Sequence, residues 1–304
     1  MKYRSRRRVT PLLLVALLFT VAGPSAAGPY REYDIKFTGE ARPPLGTSPG
    51  DAELINSIAW LMNNKLDLPF PAVTKAYVYV NEATLMDGLV TLGGEKSDEA
   101  WDRWRNASGV ATRNGVFLRG DHMAWMHLQG RAGLLAHELA HISQRELGEG
   151  GKRRPAVWIL EGHADWVKFQ VRDLLGYRSY AESRQNVARA VVGASTPIKL
   201  FPDLQTLSGT AGWTDWTRKA GAITTYCQAF LAVDWLIERY GSAKLIEFMG
   251  RFALESVPGE NWLTAYPIPY RQFTEEFRAR LEDLGRAIPP AAGGSLAASQ
   301  PSCD

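Results

Sequence analysis

Apolar and polar positions alternate along this chain with two distinct periods. Residues 51–65 place Leu54, Ile55, Ile58, Ala59 and Met62 at helical spacing behind Ser48 and Asp51, which predicts an amphipathic helix with caps at its start. Residues 74–80 are β-branched and aromatic and predict a strand. Residues 82–105 predict two short helices broken at Gly93-Gly94. Residues 110–118 predict a hairpin, with Asn114-Gly115 as its tight turn. From there the helical period dominates. Helices are expected over residues 130–147, then to about Leu175 with Pro155 in the first turn, then over 180–192, 218–240, 243–254 and 272–284. Residues 196–216 read as a loop punctuated by Pro197, Pro202, Gly209 and Gly212. Strands early and helices late predict an α+β protein. The expected plan is a sheet-containing half over 51–148 and a helical half over 149–287. An extended segment over 28–50 precedes them, and a tail over 288–304, rich in Ala, Gly, Pro and Ser, is expected to be disordered.

The first residues read differently. Five basic residues lie within the first eight, an uncharged apolar run follows over 11–23, and Ser25-Ala26-Ala27-Gly28 supplies small residues. That is the pattern of a secretory signal peptide. Cleavage is expected after Ala27, and an uncleaved anchor is the alternative. The protein is accordingly expected outside the cytoplasm, secreted or periplasmic, with no stable membrane span once the signal is removed. The full chain of 304 residues has 35 basic and 32 acidic residues; without residues 1–27 the balance is 30 against 32. Nothing in that balance points to nucleic acid. Of the two cysteines, Cys227 is expected to be a buried small hydrophobe, and Cys303 a stray thiol in the tail.

The chemistry concentrates in His137-Glu138-Leu139-Ala140-His141. On a helix, positions i and i+4 share a face, so two imidazoles can reach one tetrahedral zinc ion. Glu138 lies near that face as a proton acceptor. A catalytic zinc takes a third protein ligand, and Glu161 follows on the next helix, twenty residues after His141. Asp165, one turn further, is placed to accept a hydrogen bond from the outer nitrogen of a ligand histidine. Gly162 and Ala164 are small enough to let helices approach closely. His163 points to another face and reads as structural. His122 and His127 read as surface or core residues.

His-Glu-x-x-His, nineteen intervening residues, Glu, and Asp four further on resemble the gluzincin metallopeptidases, with thermolysin-like ligand spacing. Trp158, Glu161, Gly162 and Ala164 resemble the ligand helix of the peptidase MA-like group, Trp-x-x-Glu-Gly-x-Ala. The resemblance covers roughly residues 110–250. It implies a zincin-like fold, with a small mixed sheet packed on the zinc helix and one zinc ion held by His137, His141 and Glu161. It also implies hydrolysis of a peptide or protein substrate with Glu138 as general base. It implies further that an edge strand pairs with the substrate backbone, and Val116, Phe117 and Leu118 are the matching segment. A Tyr or His stabilises the oxyanion in this family. Tyr226, at the head of a late helix, is the candidate, although it shares a helical stripe with Phe230, Val233 and Ile237 and also reads as core. No histidine occurs late in the chain, so a histidine in that role is excluded. Two other readings share the metal motif: a binding module without catalysis, and a zinc hydrolase of a non-peptide substrate.

Overall fold

The computed structural model describes residues 28–287 apart from 43–44, 106 and 255–256. The signal segment and the tail lie outside the described residues. Among those described, no helix is long and apolar enough to cross a membrane.

The protein is α+β, with a small sheet built first and helices after it. Strands β1 (Tyr30–Asp34), β2 (Lys75–Tyr79), β3 (Gly109–Thr112) and β4 (Gly115–Arg119) form one mixed sheet in the order β1-β2-β4-β3. β1 runs antiparallel to β2, β2 parallel to β4, and β3 antiparallel to β4. Side chains of a strand alternate between faces, and both faces here are covered. Ala76, Val78, Val116 and Leu118 join one core with helices α1 (Asp51–Lys65) and α5 (Leu128–Leu147). Tyr77, Tyr79 and Phe117 join a second with α2 (Glu82–Thr91) and Ala100 of α3 (Ser97–Trp104). Covering both faces explains why the central strands read as continuous apolar runs.

The helical half follows a short helix α4 (Gly120–Trp125) and continues from α5 through α6 (Val157–Leu174), α7 (Tyr180–Val192), α8 (Thr210–Ala220), α9 (Tyr226–Tyr240), α10 (Ser242–Gly250), α11 (Pro258–Ala265) and α12 (Tyr270–Ala287). α6 is the central helix, buried between α5 and α9. Gly162 makes the second of these approaches. A Cβ there would lie 2.3 Å from the Ala229 carbonyl oxygen, so only glycine lets α9 come this close. The small residue in the ligand motif thus serves α9 rather than α5.

The predicted helices over 51–65 and 180–192 have the observed bounds. Several expectations change. Residues 28–50 are not separate from the sheet: Tyr30–Asp34 forms its edge strand β1, and Arg31 and Tyr33 reach Asp51 at the start of α1. Asp51 also pairs with Arg131 of α5 at 2.5 Å, so the N-terminal strand and α5 are tied to one carboxylate. The hairpin turn is Arg113-Asn114, one residue earlier than expected, with Gly115 at φ +137° pairing with Thr112. Residues 196–216 are not a plain loop but carry two 3-10 turns (Ile198–Leu200, Thr206–Ser208) and the first part of α8. The expected helix over 218–240 is divided at Gly221, whose φ of +82° ends α8 and turns the chain through Ala222–Thr224 into α9. Pro155 precedes α6 and its N-cap Ala156 rather than occupying the first turn. Cys227 is fully buried, but it is disulfide-bonded and not a free thiol. Cys303 lies outside the described residues.

Candidate metal centre

The antiparallel packing of α5 and α6 brings the predicted ligands together. His137 and His141 project from consecutive turns of α5, and Glu161 faces them from the second turn of α6. The two Nε2 atoms are 3.2 Å apart, and Glu161 Oε2 lies 3.3 Å from His137 Nε2 and 3.6 Å from His141 Nε2. Among the described residues this is the group of three metal-ligating side chains whose donor atoms share one point, all within 4.8 Å of one another.

The outer nitrogens fix which atoms face inward. His137 Nδ1 lies 3.0 Å from Asp165 Oδ1; a carboxylate accepts, so Nδ1 carries the hydrogen and Nε2 keeps its lone pair. His141 Nδ1 lies 2.9 Å from Gln144 Oε1. The Gln144 amide nitrogen donates to the Leu160 carbonyl at 2.8 Å, which leaves its oxygen to accept from His141. Both histidines therefore turn a lone pair toward the Glu161 carboxylate. Three acceptors that converge without a donor repel one another, and a cation among them removes the conflict. Two imidazole nitrogens and one carboxylate oxygen are also a donor set suited to zinc. The residues present fit such an ion.

Protonation of these groups follows the same logic. Burial works against a charge on His137, yet hydrogen bonds to Asp165 and Glu161 push its pKa up to about 10. Burial likewise opposes charge on His141, and the neighbouring Glu161 carboxylate outweighs it and raises the pKa. Burial would raise Glu161, but His141 and His137 hold it well below the usual carboxylate range. A proton between the acceptors relieves the same conflict that a metal would.

Glu138 sits beside these ligands, buried, with its pKa raised by burial. The Ala111 backbone N–H is directed at its carboxylate and works against that rise. Gly109 closes over it: a Cβ there would lie 2.7 Å from Glu138 Cγ. Asp165 is buried, and Lys168 Nζ lies 3.3 Å from its Oδ1. Burial raises the Asp165 pKa, and Lys168 and His137 bring it down below the ordinary value. Tyr226, the first residue of α9, stands with its ring 6.3 Å from that of His137 and edge-on to Trp213 at 4.9 Å. The Glu161 charge and burial push its pKa well above the ordinary tyrosine value, so it remains a phenol. These groups line a cleft of about 660 Å³, whose far walls include Trp104, Met126, Gly133, Lys168 and Thr217.

One group of predicted site residues is not in the cleft. Val116, Phe117 and Leu118 belong to β4, which pairs with β2 on one side and β3 on the other, and all three are fully buried. An interior strand has no open backbone edge to offer. The strand bordering the cleft is β3, whose Gly109, Val110 and Ala111 line it. His163 is buried, stacks on Trp166 and lies 3.0 Å from Gln144 through Nδ1; burial lowers its pKa to about 3, which keeps it neutral. His122 Nδ1 lies 2.9 Å from Ser108 Oγ, and His127 is the exposed N-cap of α5; neither lines the cleft. Gln144 went unread in the sequence. Its signal was the i+3 spacing from His141 on the ligand face of α5.

In comparisons with known proteins, no family model matches this chain, and neither a curated protein nor a solved structure matches it. The reading of the site therefore rests on its geometry.

Proposed function

We propose that this chain is a zinc-dependent peptidase of the gluzincin kind, built on a zincin-like fold. The observation that carries the reading is the convergence of His137, His141 and Glu161 lone pairs beside the buried Glu138 carboxylate, at the floor of a cleft bordered by a sheet edge. When bound, the zinc ion would supply Lewis-acid polarisation of the substrate carbonyl and of the attacking water. The protein's own groups would do the rest. Asp165 and Gln144 hold the two imidazoles in the required tautomer. Glu138 takes a proton from the attacking water on its carboxylate and returns it to the leaving amine nitrogen. Burial raises its pKa, which makes it a stronger proton acceptor than an exposed carboxylate. Tyr226 donates its hydroxyl hydrogen to the oxyanion that forms at the substrate carbonyl. The substrate would be a peptide or protein met outside the cytoplasm. The signal-like start of the chain fits that location.

The test is zinc content together with cleavage of a mixed peptide library. Wild-type protein is expected to carry one zinc ion per chain and to cut. Glu138→Gln is expected to keep the zinc and lose at least a hundredfold in turnover. Full activity in Glu138→Gln, or zinc-loaded wild type that cuts no peptide, would overturn the proposal.

A further inference from the structure

The sheet edge that borders the cleft is almost entirely spent. In an antiparallel pair, alternate residues turn their backbone groups toward the partner strand, and those between turn outward. Arg119 N–H donates to the Ser108 carbonyl at 2.9 Å, and β3 stays in register with β4 from there. Ser108, Val110 and Thr112 therefore face β4, and Gly109 and Ala111 face out toward the cleft. At Ala111 neither outward group is open: its N–H is directed at the buried Glu138 carboxylate, and its carbonyl accepts from Arg145 Nη2 at 2.9 Å. On the other side, Ala107 N–H turns back to the Trp104 carbonyl at 2.9 Å. Between them, Gly109 lines the cleft against Glu138, with its N–H and carbonyl on the outward side of the β3–β4 pair.

We propose that the cleft grips a peptide backbone through a single rung at Gly109, and that Arg145, by capping the Ala111 carbonyl, is the stop that prevents a longer ladder. The substrates are then short peptides or loose chain segments rather than extended strands. This rests on the peptidase reading above and deepens it. A guest strand running along an open edge gains backbone hydrogen bonds at every second residue. Here the second bond would have to displace a part-buried guanidinium from its carbonyl. Arg145 acts on specificity through the edge it closes and takes no part in the proton transfers.

The deciding measurement is calorimetric binding of peptides to zinc-loaded Glu138→Gln protein, in which the glutamine keeps the shape of the Glu138 side chain beside Ala111. The probes are a length series built on the best-cut library sequence and the same peptide N-methylated at one amide at a time. Outside the scissile bond, N-methylation is expected to weaken binding about tenfold or more at one amide only. Affinity is expected to change less than twofold per residue added beyond that rung on the Arg145 side. Sensitivity at two alternating amides, or affinity that climbs with every added residue, would overturn the single rung. Adding Arg145→Met keeps much of the side-chain stem and frees the Ala111 carbonyl, so a second sensitive amide should appear two residues along. If that protein folds by circular dichroism and no second amide appears, Arg145 is not the stop. If it does not fold, the scan on the protein with Arg145 intact still decides the single rung. Peptides that are cut by wild type but bind as a ladder leave the peptidase reading standing and sink this one. Peptides neither bound nor cut remove both.

Discussion

Asp165 accepts from the outer nitrogen of His137 at 3.0 Å, across the interface between α5 and α6. One helix thus sets the orientation of a ligand carried by the other. Replacing Asp165 removes an acceptor that no neighbouring group duplicates at that nitrogen. Asp165→Ala should weaken zinc binding about 10–100-fold. Competition against a chelator measures this directly, and unchanged affinity would mean that His137 is held by packing alone.

Zinc and a proton compete for the same lone pair. Asp165 and Glu161 outweigh burial and push the His137 pKa up to about 10. Zinc needs that nitrogen neutral, so binding near pH 7 should release a proton. Affinity should rise with pH, about tenfold per unit for one displaced proton, and level off as pH passes the His137 value. Calorimetry in buffers of different ionisation heat reads the proton count. Zinc uptake with no proton release would contradict the assigned contacts.

Tyr226 is the residue whose two readings diverge most sharply. As oxyanion donor, Tyr226→Phe should cut kcat by about 10²–10³ and leave zinc content unaltered. As core alone, the same change should move thermal stability and leave kcat nearly intact. Because the hydroxyl pKa is pushed well above the ordinary tyrosine value, the donor should serve across the neutral and mildly alkaline range.

Gly162 is a packing test that leaves every ligand in place. Gly162→Ala places a methyl 2.3 Å from the Ala229 carbonyl oxygen, which is backbone and cannot swing aside. The cost should be about 1–3 kcal/mol, as for overpacked cores generally. It is read as a lowered midpoint in thermal unfolding of the metal-free protein. A midpoint equal to that of wild type would mean that α6 and α9 separate easily.

What the sequence shows best is what is local. The helix over 51–65 is legible because its apolar stripe and first-turn acids are contained within it. The pair of histidines on α5 is legible because helical periodicity alone puts them on one face. Strand order is a different kind of fact. β4 and β3 are joined by a two-residue turn, but nothing in either strand says that β2 lies beyond β4, so the sequence does not distinguish the interior strand from the edge. β1 escaped notice because most of its residues are exposed and its pairing partner lies more than forty residues away. The break at Gly221 hides inside residues that all tolerate a helix, and only the backbone angle reveals the turn. Gln144 and Arg145 illustrate the same limit at the site. Their roles depend on Leu160 and Ala111, which meet them only after the helices and sheet have packed.

Every strand of the sheet precedes residue 120, whereas all three converging ligands follow residue 136 and are divided between two helices. A ribosome delivers the chain in that order. The sheet and α1 can begin to assemble while the ligands are still unmade, and the ion has no complete binding place until α6 has emerged and docked on α5. On the proposed zinc reading, metal capture is then a late step of maturation, after the sheet and both ligand helices are made.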